Sequence, residues 1–87
     1  MSLVFHEYRP QVYGLIYAFL RDVDEILSST TNYEVRVAKV VKWLYVLNGL
    51  GMPMPEFDPD NATPDDIERV VRDALKWVAS VFKSSRR

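Results

Sequence analysis

The sequence predicts an all-α fold, a small three-helix bundle with a long, proline-rich, acidic connector between helices 2 and 3. Apolar residues recur at helical spacing in three segments, and capping signals precede the second and third of them. The 87 residues suffice for one domain with one core. We expect helices over residues 10–28, 32–48 and 64–83, with frayed or loosely packed ends at 1–9 and 84–87.

The first helix is predicted from an apolar stripe at the i, i+3, i+4 and i+7 spacings of one face. Its members are Val12, Leu15, Ile16, Phe19, Leu20, Val23, Ile26 and Leu27. Tyr13 and Tyr17 lie outside this stripe, beside the small residues Gly14 and Ala18. This second side either meets another partner, which the small residues would let approach closely, or is an exposed face that tolerates them.

The second helix is predicted to begin at a capping box, with Thr31 as the N-cap and Glu34 three residues later. Asn48 and Gly49 provide its stop signal. One face carries Val37, Val40, Val41, Leu44 and Leu47. Residues 35–37 alternate as a strand would, but the spacing over the longer segment favours a helix.

The third helix has the clearest start. Thr63 is the predicted N-cap and Pro64 occupies the first helical position, where a missing N–H costs nothing. Asp65 and Asp66 follow in the first turn, where the helix dipole favours negative charge. The apolar face comprises Ile67, Val70, Val71, Ala74, Leu75, Val78, Val81 and Phe82.

Residues 49–62 form the connector, which prolines make stiff and extended. Fourteen residues is long for a helix connection, and it disfavours a helix-turn-helix arrangement. We expect Phe57 to fold back onto the bundle, with ligand binding by the connector as the less favoured alternative. Three connector carboxylates either stay solvated or cover a basic face at Arg36, Lys39 and Lys42; they are Glu56, Asp58 and Asp60.

Residue types that carry chemistry are scarce. The chain has no cysteine, and His6 is its only histidine, so the sequence predicts no catalytic residues, no cofactor and no metal site. Asp58 begins a segment similar to a calcium loop, but Ala62 and Arg69 occupy ligand positions, so we expect turn formation instead. We predict that the protein is not an enzyme, and no small-molecule substrate is evident.

The sequence predicts a cytoplasmic protein. No basic leader precedes an apolar segment at the start, and cysteine is absent, which fits a reducing compartment. The uncharged run from Pro10 to Leu20 is too short to span a membrane, so we expect no membrane association.

The leading functional hypothesis is a non-enzymatic protein–protein interaction module, either an accessory subunit or a small homo-oligomer such as a homodimer. Apolar residues outside the core stripes motivate it, including Val35 and Val46 on the second helix. Aromatic residues anchor interfaces well, and the predicted partner interface comprises Tyr13, Tyr17, Trp43, Tyr45 and Trp77. The partner is a protein, either a second copy or a different chain.

The alternative hypothesis is a nucleic-acid-binding protein that uses the basic face of the third helix and the C-terminal tail. Charge is segregated, since residues 49–68 carry six carboxylates and residues 69–87 carry six basic residues. Basic stripes of this kind can neutralise phosphates. The predicted anion-binding residues are Arg36, Lys39, Lys42, Arg69, Arg72, Lys76 and Lys83.

Overall fold

The computed structural model describes residues 9–85, and the side chains of residues 12–81. Three helices run in chain order, α1 over Arg9–Leu27, α2 over Tyr33–Gly49 and α3 over Pro64–Ser85. No strand occurs in this range, so the predicted all-α class is confirmed. Of the predicted loose ends at 1–9 and 84–87, residues 1–8 and 86–87 lie outside the described residues, as does His6. Arg9 is the first residue of α1, and α3 ends at Ser85, two residues beyond its predicted end.

The core contains residues from all three helices and one connector residue, Met52. No polar or charged residue is buried among the side chains that the structure describes. The predicted apolar face of α3 supplies Ile67, Val70, Val71, Ala74 and Val78. Leu75 and Val81 pack partly against this core, while the side chain of Phe82 lies outside the described part.

Only part of the predicted α1 stripe is buried. The buried line, which we call the inner seam, comprises Val12, Ile16, Phe19, Val23 and Ile26. Leu15, Leu20 and Leu27 were expected in the core and are exposed instead. The reason is geometric: α2 and α3 together cover only a narrow arc of α1, and these leucines lie beyond its two edges.

Helix α2 runs antiparallel to α1. Arg36, near the start of α2, donates from Nε to the carbonyl of Ile26 at the end of α1, with a distance of 2.5 Å. The cap of α2 differs from the prediction, because Asn32 rather than Thr31 is the N-cap. Its side-chain oxygen accepts from the backbone N–H groups of Glu34 at 2.8 Å and Val35 at 3.4 Å.

The end of α2 also differs from the prediction. Gly49 still belongs to the helix, and the left-handed residue that ends it is Gly51, with φ 116°. The N–H of Gly51 bonds to the Asn48 carbonyl, and that of Met52 bonds to the Leu47 carbonyl, each at 3.0 Å. These two bonds form a Schellman motif, and the buried Met52 supplies its apolar contact.

Helix α3 runs parallel to α2, and this explains the length of the connector. Tyr33 at the start of α2 donates from its hydroxyl to the carbonyl of Ala62, just before α3. At the other end, a Cβ built on Gly51 would lie 3.9 Å from the ring of Trp77. The connector must therefore return along the whole of α2, roughly 25 Å at 1.5 Å per residue. Phe57 packs partly against the core on this path, as predicted.

The start of α3 follows the prediction. The Thr63 hydroxyl accepts from the Asp66 N–H at 3.1 Å, and Asp66 accepts in return from the Thr63 N–H at 3.0 Å. This reciprocal pair is a capping box in which Asp takes the place of Glu. The Thr63 N–H, aided by Arg69, holds the pKa of the Asp66 carboxyl below its ordinary value.

Candidate protein interaction surface

A second line of residues runs along α1 beside the inner seam and faces solvent. We call it the outer seam; it comprises Tyr13, Tyr17, Leu20, Asp24 and Leu27. Its steps of four and three residues repeat those of the inner seam, displaced by one residue, and are typical of a coiled-coil contact. The exposed fractions are 37% for Tyr13, 70% for Tyr17, 42% for Leu20 and 43% for Leu27. The bundle thus covers one of two apolar lines on α1.

The small residues beside the outer seam are also exposed. No atom lies within 4 Å of a Cβ built on Gly14, and Ala18 is exposed one turn later. Among the described residues, no helix uses Gly14 for a close approach. Within the part of the chain that the structure describes, this side of α1 is uncovered.

The structure separates the five aromatic residues of the predicted interface. Tyr13 and Tyr17 lie together on the outer seam, whereas Tyr45 is 68% exposed on the far side of α2. Trp77 is half-buried against the core near Gly51. Trp43 was expected on an interface, but only 4% of it is exposed, because its ring packs against Phe19 with centroids 5.4 Å apart.

Two valines expected on the open side of α2 also separate. Val35 is exposed, while Val46 is half-buried and packs against the core. No single apolar surface on α2 therefore joins Val35 to Tyr45. The outer seam of α1 is the larger contiguous candidate.

The predicted basic residues of α2 are engaged by α1. Lys39 Nζ lies 3.5 Å from Asp22 and 3.7 Å from Glu25, and Lys42 Nζ lies 3.3 Å from Asp22. Asp22 also accepts a 2.7 Å hydrogen bond from the indole N–H of Trp43. This bond, followed by those from the lysines, holds the pKa of Asp22 below its ordinary value. Arg36 is bonded to the end of α1, so these three cations join two helices.

The predicted basic residues of α3 lie on its exposed face. Arg69 pairs with Asp66 at 3.4 Å and Arg72 with Glu68 at 3.6 Å, both within one turn of the same helix. Lys76 is exposed, and the side chain of Lys83 lies outside the described part of the chain. Among the described side chains, the α2 cations thus bind groups on α1, and Arg69 and Arg72 pair with carboxylates of their own helix. Lys76 has no ion pair of either kind with a described residue.

The connector carboxylates stay solvated, which is one of the two arrangements predicted from the sequence. Glu56, Asp58 and Asp60 are exposed, and the lysines they were expected to cover pair with α1 instead. Asp58 stabilises its own turn by accepting from Asn61 Nδ2 at 2.9 Å and from the Asp60 N–H at 3.0 Å. These bonds, that of Asn61 first, hold the pKa of Asp58 below its ordinary value.

Sequence reasoning missed three members of the outer seam. Leu20 and Leu27 were assigned to the core, and Asp24 was assigned to no surface. The sequence contained a usable signal, because two heptad lines displaced by one residue cannot both face the same narrow core. Recognising the second line would have predicted that these residues are exposed.

None of the helices within the described residues is both long and apolar enough to cross a membrane. Comparisons with protein-family models, with curated proteins and with solved structures find no match for this chain. The functional interpretation below therefore depends on the residues and their geometry.

Proposed function

We propose that this chain is a non-enzymatic protein–protein interaction module, an accessory subunit or small homo-oligomer that binds its partner through the outer seam of α1. One observation carries the proposal: four large apolar side chains stand exposed in a line beside the core that the described residues form. Contiguous exposed apolar surface of this kind marks binding sites on soluble proteins.

The composition of the seam supports a protein partner. Tyrosine combines a large apolar ring with a hydroxyl and is enriched among residues that dominate binding energy. A fully buried aromatic side chain removes ~150–250 Å² of surface from water. Tyr13, Tyr17, Leu20 and Leu27 are only partly exposed, so together they present on the order of 300 Å² of apolar surface that a partner could cover. That area suits the apolar centre of an interface whose rim is formed by polar residues nearby, such as Arg21 and Glu25.

The non-enzymatic part of the proposal is supported by the sequence. With one histidine and no cysteine, the chain cannot assemble a histidine cluster or a cysteine–histidine pair. The carboxylates with a shifted pKa serve as caps, turns or helix-pairing groups, and each has an identified structural partner. The perturbed groups therefore have structural explanations that require no catalytic role.

Nucleic-acid binding stays a prediction with less support. Lys39 and Lys42 are paired with α1, and Arg69 and Arg72 have carboxylate neighbours within their own helix. A phosphate would have to compete with those carboxylates at each position. Among the predicted anion-binding residues whose side chains are described, Lys76 is exposed without a recorded ion pair, and one lysine is a small positive surface.

Site-specific photo-crosslinking in the source cells tests the proposal. A benzoylphenylalanine probe replaces Tyr17 on the outer seam or, as the matched control, Tyr45 on α2; both residues are highly exposed. We expect a discrete protein adduct from the probe at Tyr17 and a much weaker one from the probe at Tyr45. Equal labelling at both positions, or no adduct at Tyr17, would contradict the proposed surface.

A further inference from the structure

We propose that the partner on the outer seam is a second copy of this chain, with the two α1 helices antiparallel about a two-fold axis near Leu20. This inference rests on the proposed function, because it names the occupant of the same surface. Unlike the proposed function, this inference requires the outer seam of one copy to be complementary to the outer seam of another. The order of residues along the seam provides the argument.

An interface between two copies related by a two-fold axis is self-complementary, so that if residue i contacts residue j, then j also contacts i. When Leu20 is placed opposite Leu20 of the second copy, Tyr13 is aligned with Leu27. Tyr17 lies three residues before Leu20 and Asp24 four residues after it, so these two are offset by one residue, about 1.5 Å along the helix, and remain within reach of each other. Every member of the outer seam then has a counterpart. The apolar residues meet apolar residues, and the one carboxylate meets a phenol.

Asp24 determines the orientation. A carboxylate within an apolar contact is costly unless it is hydrogen-bonded, and Asp24 forms no ion pair with the residues whose side chains are described. The antiparallel arrangement brings it the hydroxyl of Tyr17, a donor that is 70% exposed in the isolated chain. A parallel arrangement would place Asp24 against Asp24 of the second copy. Like charges there would repel, so the geometry favours the antiparallel pair.

The rim of this contact carries charges of both signs. Arg21 flanks the seam and lies three and four residues before Asp24 and Glu25, at spacings that allow pairing within its own helix. The exposed apolar area of one copy is smaller than the ~800 Å² per partner of a standard stable complex. We therefore expect a weak dimer, formed at micromolar to millimolar concentrations.

Sedimentation equilibrium of the purified chain, from about 10 μM to 1 mM, measures this association. We expect a monomer–dimer equilibrium that Leu20→Gln abolishes. Tyr17→Phe removes only the hydroxyl, but the two-fold axis repeats the Tyr17–Asp24 bond, so the variant loses two charge-assisted hydrogen bonds. It should weaken dimerisation about a hundredfold, roughly tenfold for each bond. Tyr45→Phe is the matched control and should leave the dimer unchanged. A strict monomer over the whole range would overturn the inference.

Disulfide crosslinking tests the orientation, because the natural chain has no cysteine to confuse it. Oxidation should crosslink the Leu20→Cys variant to itself. Tyr13→Cys and Leu27→Cys should crosslink poorly alone but efficiently when the two variants are mixed. Tyr45→Cys reports random collisions. Efficient self-crosslinking of Tyr13→Cys would indicate a parallel pair and overturn the proposed arrangement.

The two proposals fail in different ways. If the purified chain is monomeric while the probe at Tyr17 captures a different protein in cells, the second copy is excluded and the interaction surface stands. If the purified chain dimerises but the Tyr45 probe gives the stronger adduct, the outer seam is the wrong surface for both. Helical circular dichroism of each variant separates lost association from lost folding.

Discussion

The indole N–H of Trp43 donates a 2.7 Å hydrogen bond to Oδ2 of Asp22, joining α2 to α1 at the edge of the core. Lys42 lies over the Trp43 ring, 4.8 Å from its centroid, and reaches the same carboxylate. The ring packs on Phe19 while its one polar atom is satisfied at the surface. This arrangement explains why a tryptophan expected at an interface belongs to the fold.

We predict that Asp22→Asn lowers the free energy of unfolding by about 1 kcal/mol at pH 7, because a charge-assisted bond becomes a neutral one. The bond from Trp43, followed by those from the lysines, depresses the pKa of Asp22 in the folded state. This stabilisation is therefore present above the unfolded-state pKa of about 3.9 and is lost as the pH falls through the folded-state value. Urea denaturation at pH 7 and pH 3 measures the difference.

In this pH experiment Asp73→Asn is the control, since it changes an exposed carboxylate on α3. Its effect should be small at both pH values. An Asp22→Asn effect that is the same at pH 7 and pH 3 would show that the charge of Asp22 does not stabilise the fold.

The start of α2 gives a paired test of capping. Asn32→Ala should cost about 1 kcal/mol, because the Asn32 side chain accepts from two N–H groups of the first turn. Thr31→Ala should cost much less, since Thr31 is not the N-cap. Thermal or urea unfolding of the two variants gives the comparison. A larger loss from Thr31→Ala would restore the capping box predicted from the sequence.

The end of α2 gives a second pair. Gly51→Ala should destabilise by ~1–2 kcal/mol, because φ is 116° there and an L-residue is strained. Gly49→Ala should stabilise by up to ~1 kcal/mol, since Gly49 is helical and no atom lies within 4 Å of its built Cβ. Unfolding measurements that give both variants the same sign would be inconsistent with the Schellman motif.

The connector carboxylates are predicted to be separable by role. Glu56→Gln with Asp60→Asn should change neither hydrogen exchange nor binding to polyanions, because both residues are exposed and Lys39 and Lys42 are paired with Asp22. Asp58→Ala should speed hydrogen exchange at the Asp60 amide, because the Asp58 carboxylate accepts a hydrogen bond from that N–H. Stronger polyanion binding by the Glu56/Asp60 variant would mean that the connector covers a basic site.

Sequence reasoning identified what is local. The three helices, the Thr63 cap and the burial of Phe57 depend on spacing, capping chemistry and hydropathy that a short window contains. The bond between Asp22 and Trp43 spans 21 positions, and no local pattern encodes it. The parallel orientation of α2 and α3 also depends on residues far apart in the chain. In the sequence, it is reflected only in the length of the connector.

Only part of the candidate surface could be predicted from the sequence, and the reason is physical. Tyr13 and Tyr17 were recognised because they lie outside the main stripe, whereas Leu20 and Leu27 were assigned to the core by hydropathy alone. A helix in a bundle this small buries only an arc, and hydropathy does not tell which side of a broad apolar face is covered. Only the packing of α2 and α3 identifies the inner seam.

Urea denaturation of alanine variants on the two seams, at a protein concentration of a few micromolar to keep the chain monomeric, tests whether the outer seam lies outside the chain's own core. The double variant Leu20→Ala with Leu27→Ala should lose less than about 1 kcal/mol, as exposed positions do. Ile26→Ala, on the inner seam with 0% exposed, should lose about 2–5 kcal/mol. If the double variant loses as much as Ile26→Ala, the outer leucines belong to the fold, and no free interaction surface exists on α1.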